Sequence, residues 1–156
     1  MKGKKNHVHL VFLAAVLPVF VMGSSCTVNR HPTVDRVPSH AMEEAMSFKA
    51  PFGDARTASP EIIAKGKALF EGKAKCVTCH GKNGKGDGPA AHMHKPAPRN
   101  FTDCEFQKAR EDGELYWIIK YGSPGTGMQA MIPNALTEEE GWDVVAYIRT
   151  FCKAQG

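Results

Sequence analysis

Apolar positions recur at helical spacing in three stretches of the chain, and no stretch alternates with period two for long. In the first, Ile62, Ile63, Leu69 and Phe70 fall largely on one face. Ser59 stands at the N-cap position before Pro60, and Glu61 sits where the helix dipole favours an acid. A second helix is predicted from Asp112 through Leu115, Tyr116, Ile118 and Ile119, stopping at Gly122. The third opens on Thr137 and Glu140, the spacing of a capping box, and carries Trp142, Val145, Ile148 and Phe151. The pattern predicts an all-α fold with three main helices joined by loops. Pro and Gly supply 25 of the 156 residues, so the loops are long. Three helices of about 12 residues bury little by themselves.

A different pattern precedes these helices. Residues 10–22 form an apolar run, preceded by Lys2, Lys4 and Lys5 and followed by Gly23, Ser24, Ser25 and Cys26. A basic start, an apolar middle and small residues make an export signal, expected over residues 1–25. The run is shorter than the roughly 20 residues a membrane span requires, and it contains Pro18. Small residues directly before Cys26 resemble the bacterial lipoprotein cleavage box, although Gly23 stands where Leu is usual. That resemblance implies a lipid on the Cys26 thiol; the competing expectation is a free thiol. Residues 26–55 hold Pro32, Pro38, Pro51 and Gly53 with little periodicity. They are expected to form a flexible, extended linker with at most one helical turn near Met42 to Phe48, leaving residues 56–156 as the folded domain.

Net charge adds a contrast along the chain. The total is +4, of which residues 1–25 contribute +3. Nothing here has the basic surplus of a nucleic-acid-binding domain. Residues 65–99 hold eight Lys and Arg against two acids, and residues 100–156 hold five against nine. The basic half surrounds the segment that carries the chemistry and suits docking to an acidic partner.

That segment is Cys76-Val77-Thr78-Cys79-His80, the attachment sequence for a c-type haem. Each thiol adds to one vinyl group, giving two thioethers, and the adjacent His reaches the iron from the proximal side. A thioredoxin-like pair would need a strand before it, and a zinc site would need a second pair of ligands at matching spacing. A plain Cys76–Cys79 disulfide would leave His80 unexplained.

Around this motif, residues 59 to 151 resemble the small monohaem cytochromes c of class I. Gly66 and Phe70 match that family's Gly-x-x-x-aromatic contact, and residues 81–89 look like its loop after the proximal His. Asn100-Phe101-Thr102 resembles the turn before the middle helix, and Gly122-Ser123-Pro124-Gly125-Thr126-Gly127-Met128 looks like the distal Met loop. Trp142 and Tyr147 match the aromatics of the closing helix. The resemblance implies a small cytochrome c fold wrapped around one covalent haem c. It also implies close contact of Gly66 with the closing helix and a Pro89 carbonyl accepting the His80 Nδ1–H.

Met128, Met131, Met93, His92 and His94 are the candidates for the distal ligand. Met128 is favoured, since Gly125 and Gly127 let backbone approach the haem face and Pro124 and Pro133 stiffen the loop. Counting cysteines leaves Cys104 and Cys152. An even remainder in an exported protein favours a disulfide, against two separate buried thiols.

The function expected is electron transfer in a respiratory chain by a carrier lipid-anchored on the periplasmic side of a bacterial membrane. A quinol-oxidising complex would be the donor and a terminal oxidase or reductase the acceptor. The alternatives are a cytochrome c subunit of a membrane complex, or a haem enzyme or gas sensor with a displaceable distal ligand. Arg99 and Arg110 fit haem propionates or surface charge better than a catalytic role.

Overall fold

The computed structural model describes residues 35–152; the expected export signal over residues 1–25 and Cys26 lie outside the described residues. Among the described residues six α-helices follow one another: α1 (Met42–Ser47), α2 (Pro60–Glu71), α3 (Val77–His80), α4 (Cys104–Ala109), α5 (Asp112–Tyr121) and α6 (Glu138–Arg149). Three short 3₁₀ turns accompany them, and the described residues contain no strand. None of these helices is long and apolar enough to cross a membrane.

The three main helices start where their caps lie. Ser59 Oγ accepts the Ile62 N–H at 3.4 Å, and Thr137 and Glu140 close a reciprocal capping box. A second capping box, between Glu111 and Glu114, opens α5 with a carboxylate in place of a hydroxyl. Gly66 packs against α6: a Cβ there would stand 1.9 Å from the Asp143 carbonyl oxygen, so only glycine permits this approach. Phe70 then meets Tyr147 edge to face at 5.3 Å, and Trp142 stacks on Tyr116 at 4.1 Å. Trp142 and Tyr147 are both buried core aromatics.

Residues 35–55 depart from the expected extended linker. Val37, Ala41 and Ala45, four residues apart, bury one face against Trp117. Glu44 then clamps α1 to α5, accepting from Trp117 Nε1 at 3.1 Å and from the Tyr121 hydroxyl at 2.9 Å. α1 crosses α5 at Gly113, where a Cβ would stand 2.1 Å from the Ala45 carbonyl oxygen. The apolar face is made mostly of alanine, too small to stand out in the sequence, yet it suffices because the partner residue is glycine. The folded region therefore begins well before residue 56.

α4 was not foreshadowed by periodicity. Asp103 caps it through Glu105 N–H and Phe106 N–H, and a Cys104–Cys152 disulfide ties its first residue to the end of α6 with Cα atoms 5.2 Å apart. Beside it the buried Arg149 guanidinium donates to the Gln107 carbonyl at 2.7 Å, the Arg110 carbonyl at 2.6 Å and Asp112 Oδ1 at 2.6 Å. This network binds α4, α5 and α6 together, and its hydrogen bonds compensate the burial of the charge.

Candidate functional site

A cavity of about 360 Å³ opens between α3, α5 and the loop that follows α5. Its walls are mostly apolar: Phe70, Phe101, Phe106, Leu115, Ile119 and Ile148 among them. Cys76, Cys79 and His80 line it from α3, and Met128 lines it from the loop after α5.

α3 is a single turn, and the next loop compensates for its shortness. Gly86 N–H donates to the His80 carbonyl, Gly88 N–H to that of Cys79 and Ala90 N–H to that of Thr78, at 2.9–3.1 Å. The carbonyls a short helix leaves open are thereby satisfied. Gly88 is needed for this return, because a Cβ would stand 2.4 Å from the Thr78 carbonyl oxygen.

His80 is fixed by two contacts. Its Nδ1 lies 3.0 Å from the Arg99 carbonyl oxygen, which accepts the Nδ1–H and leaves the Nε2 lone pair for a metal. The acceptor is thus Arg99 and not Pro89: Pro89 sits on the loop that returns over α3, whereas the strand of chain entering the 100–102 turn passes beneath the ring. Phe101 stacks on the imidazole with centroids 4.4 Å apart and planes 20° from parallel. Burial pushes the His80 pKa down to about 4, against the raising effect of the Arg99 hydrogen bond, so the ring is neutral at pH 7.

Cys76 and Cys79 form no disulfide with each other. Burial pushes the Cys76 thiol up to about 12, which keeps it protonated. Cys79 Sγ lies 3.5 Å from His94 Nε2.

On the opposite wall Ser123 N–H donates to the Met128 carbonyl at 2.9 Å, and Thr126 Oγ1 accepts the Met128 N–H at 3.1 Å. Gly122 takes φ 80° at the neck of this loop. Met131 and His94 also line the cavity, while Met93 and His92 are exposed outside it. The structure therefore leaves three of the five proposed distal groups at the site. Ser123 Oγ, in a residue only 6% exposed, has no hydrogen-bond partner among the described residues.

Charge collects at the other end of α5. Arg36, Arg99 and Arg110 line the cavity there with Asp35 and Glu114. Arg110 pairs with Asp35 at 2.8 Å and with Glu114 at 3.5 Å. Burial, then repulsion from Arg36 and Arg110, lowers the Arg99 pKa to about 10, while burial raises that of Glu114.

These features suit a haem. Two cysteines share one turn with a neutral His whose Nε2 is available. The pocket is apolar, and guanidinium groups at one end complement carboxylates. Among the described residues no group of three or more His, Cys, Asp and Glu is placed to hold a metal ion. Sequence reasoning missed Phe101 as the partner of His80, seeing only its turn. It also missed the N-terminal contribution of Asp35 and Arg36, whose signal was the 37, 41, 45 spacing.

Comparison with known proteins agrees. In solved structures, a chain of the reducing HAO-like protein complex Kustc0457/Kustc0458 of Kuenenia stuttgartiensis is similar, with TM-score 0.54 and 24% identity over 73% of this chain. The present chain spans 55% of that chain's length. The c-type cytochrome KustC0563 is 30% identical, with TM-score 0.48, over 56% of this chain and 98% of its own. Cytochrome CL of the marine methylotroph Methylophaga aminisulfidivorans is 22% identical, with TM-score 0.48, over 80% of this chain and 71% of its own. Among curated proteins none matches. The sequence model of the cytochrome c family matches residues 63–151, more than half of the chain and the part that builds both walls of the cavity. With its Cys76-x-x-Cys79-His80 motif inside a fold whose described residues are helical, the chain belongs to the cytochrome c family.

Proposed function

We propose that the chain carries electrons through one haem c, with His80 as proximal and Met128 as distal ligand. The observation that carries this reading is that Cys76, Cys79, His80 and Met128 all line one cavity. When bound, the haem supplies a one-electron Fe(III)/Fe(II) couple, and a thioether ligand favours the ferrous state. The protein's own task is positional. Cys76 and Cys79 hold the group on α3, the Arg99 carbonyl orients His80, and the aromatic wall excludes water. With Met128 and His80 both engaged, the chain leaves no iron position for a substrate, which favours a carrier over an enzyme or gas sensor.

The remainder of the reading rests on the sequence. The signal at 1–25 would export the protein, and a lipid on Cys26 would hold it at the periplasmic face of a bacterial membrane. A quinol-oxidising complex would reduce it and a terminal oxidase or reductase would oxidise it. Haem content per chain and the spectrum of Met128→Ala test the core of the proposal. One haem per chain is expected, with loss of the near-infrared sulfur–iron charge-transfer band in the variant. If Met131→Ala alone abolished the band, the distal assignment would be wrong. Native gels of solubilised membranes with haem staining separate a free carrier, which migrates alone, from a complex subunit, which comigrates. Rates with an acidic partner should fall as salt rises, because the basic half surrounds the attachment motif; rates flat to physiological salt would reject basic-patch docking.

A further inference from the structure

The structure assigns Ser123 a role as a positioning residue for the distal ligand: its hydroxyl donates a hydrogen bond to the Met128 thioether sulfur in the haem-loaded protein. The inference rests on Met128 being that ligand. Ser123 Oγ is the buried side-chain oxygen left without a partner among the described residues, and Ser123 lines the cavity. Buried hydroxyls are nearly always satisfied, so one that is closed to solvent, in a residue at the cavity wall, points to an acceptor that turns toward it when the cofactor is bound.

Two acceptors are chemically possible, a haem carboxylate or the thioether. Position favours the thioether. The guanidinium groups that attract carboxylates line the cavity near Glu114, in the first turn of α5. Glu114 and Tyr121 are separated by about 10 Å along the helix axis, and Ser123 lies beyond Tyr121. Met128, by contrast, is directly across the neck of the loop. The Ser123 N–H to Met128 carbonyl bond at 2.9 Å sets the two residues side by side, and both line the same cavity. A thioether bound to iron through one lone pair keeps another as a weak acceptor. A hydrogen bond there draws density from sulfur, weakens its donation to ferric iron and favours the ferrous state. It also restricts rotation of the methionine side chain, which the loop holds only through its backbone.

The experiment compares Ser123→Val with Ser123→Thr, which have the same branched shape and differ in the hydroxyl, in haem-loaded protein matured in an exporting host. The readouts are the near-infrared charge-transfer band and the ferric/ferrous equilibrium against a fixed reference couple. Ser123→Val should shift the band and move the equilibrium toward ferric by ~3–10-fold. Ser123→Thr should stay within about twofold of the parent. Equal behaviour of the two variants overturns the proposal. So does a Ser123→Val protein that keeps its band and changes only the pH profile of its potential, since that hydroxyl would be serving a carboxylate. Met128→Ala run alongside separates the two levels: if it keeps the band, the distal assignment itself fails, whereas if it loses the band and Ser123→Val matches Ser123→Thr, only the role of Ser123 fails.

Discussion

On the proximal wall His80 is held by a hydrogen bond to the Arg99 carbonyl and a stacked Phe101 ring, and Phe101 in turn packs against Phe106 and Phe151. On the distal wall Met128 is held through its backbone, by Ser123 N–H and Thr126 Oγ1, in a loop with Gly122 and Gly125 at positive φ. His80 is thus fixed through its side chain by packed aromatics, and Met128 only through the backbone of its loop. The difference follows from the chemistry. An imidazole has two nitrogens, so one can be tied down while the other binds iron; a thioether has a single donor atom, and its only second handle is the weak acceptor lone pair left on that same sulfur. Rigidity on one side lowers reorganisation, and tuning is left to the other.

The largest test removes the tie that holds the proximal wall to α6. Replacing both Cys104 and Cys152 by Ser should lower stability by about 4 kcal/mol, the chain-entropy value for a loop of this size. Denaturant unfolding of the haem-loaded protein measures it, and a loss below about 1 kcal/mol would mean that the Arg149 network alone secures α4. Next comes Phe101→Ala, expected to cost about 3 kcal/mol by leaving a cavity among His80, Phe70 and Phe106. It should also broaden the proximal signature in electron paramagnetic resonance, because the imidazole loses its stacking partner. An unchanged spectrum would show that the Arg99 carbonyl orients the ring unaided.

How far the sequence reveals these two walls differs as well. α2, α5 and α6 announced themselves through caps and spacing, since Ser59, Gly122 and the Thr137–Glu140 box act locally. The attachment motif is local too, so Cys76, Cys79 and His80 were legible at once. The Arg99 carbonyl was not, because any residue offers one and the acceptor is chosen by the path of the chain, not by a side chain. α1 was hidden for a related reason: Ala41 and Ala45 bury little area each and matter only because Gly113 lets α1 approach. Ser123 had no signal at all, since an unpartnered hydroxyl is a property of its surroundings.

On the distal wall Met128→Ala should leave haem attached through Cys76, Cys79 and His80. It should shift the ferric/ferrous equilibrium toward ferric by more than about tenfold. Folding should change less than in Phe101→Ala, because the loop is tied by its backbone and not by the methionine side chain. Equal destabilisation in the two variants would erase the contrast between the walls.

The smallest effect expected is an absence of change with acid. Iron and a proton compete for the same lone pair on His80 Nε2, so ligation fails once the ring is protonated. An imidazole in water takes that proton near pH 6.5; in the fold, burial holds the pKa down to about 4. Between these values the unfolded chain binds the proton and the folded site does not, so falling pH through this window favours unfolding while the folded site stays competent. Because iron holds the same lone pair, the low-spin, His-ligated spectrum of the parent should persist as pH falls from 7, with a midpoint of loss below the value of about 4 that burial alone gives the ring. A parent midpoint near 6.5 would mean that burial does not protect the ring. Phe101→Ala should raise the midpoint toward 6.5 by admitting water beside the imidazole. Met128→Ala should leave it where it is, because the distal loop takes no part in excluding water from the proximal nitrogen.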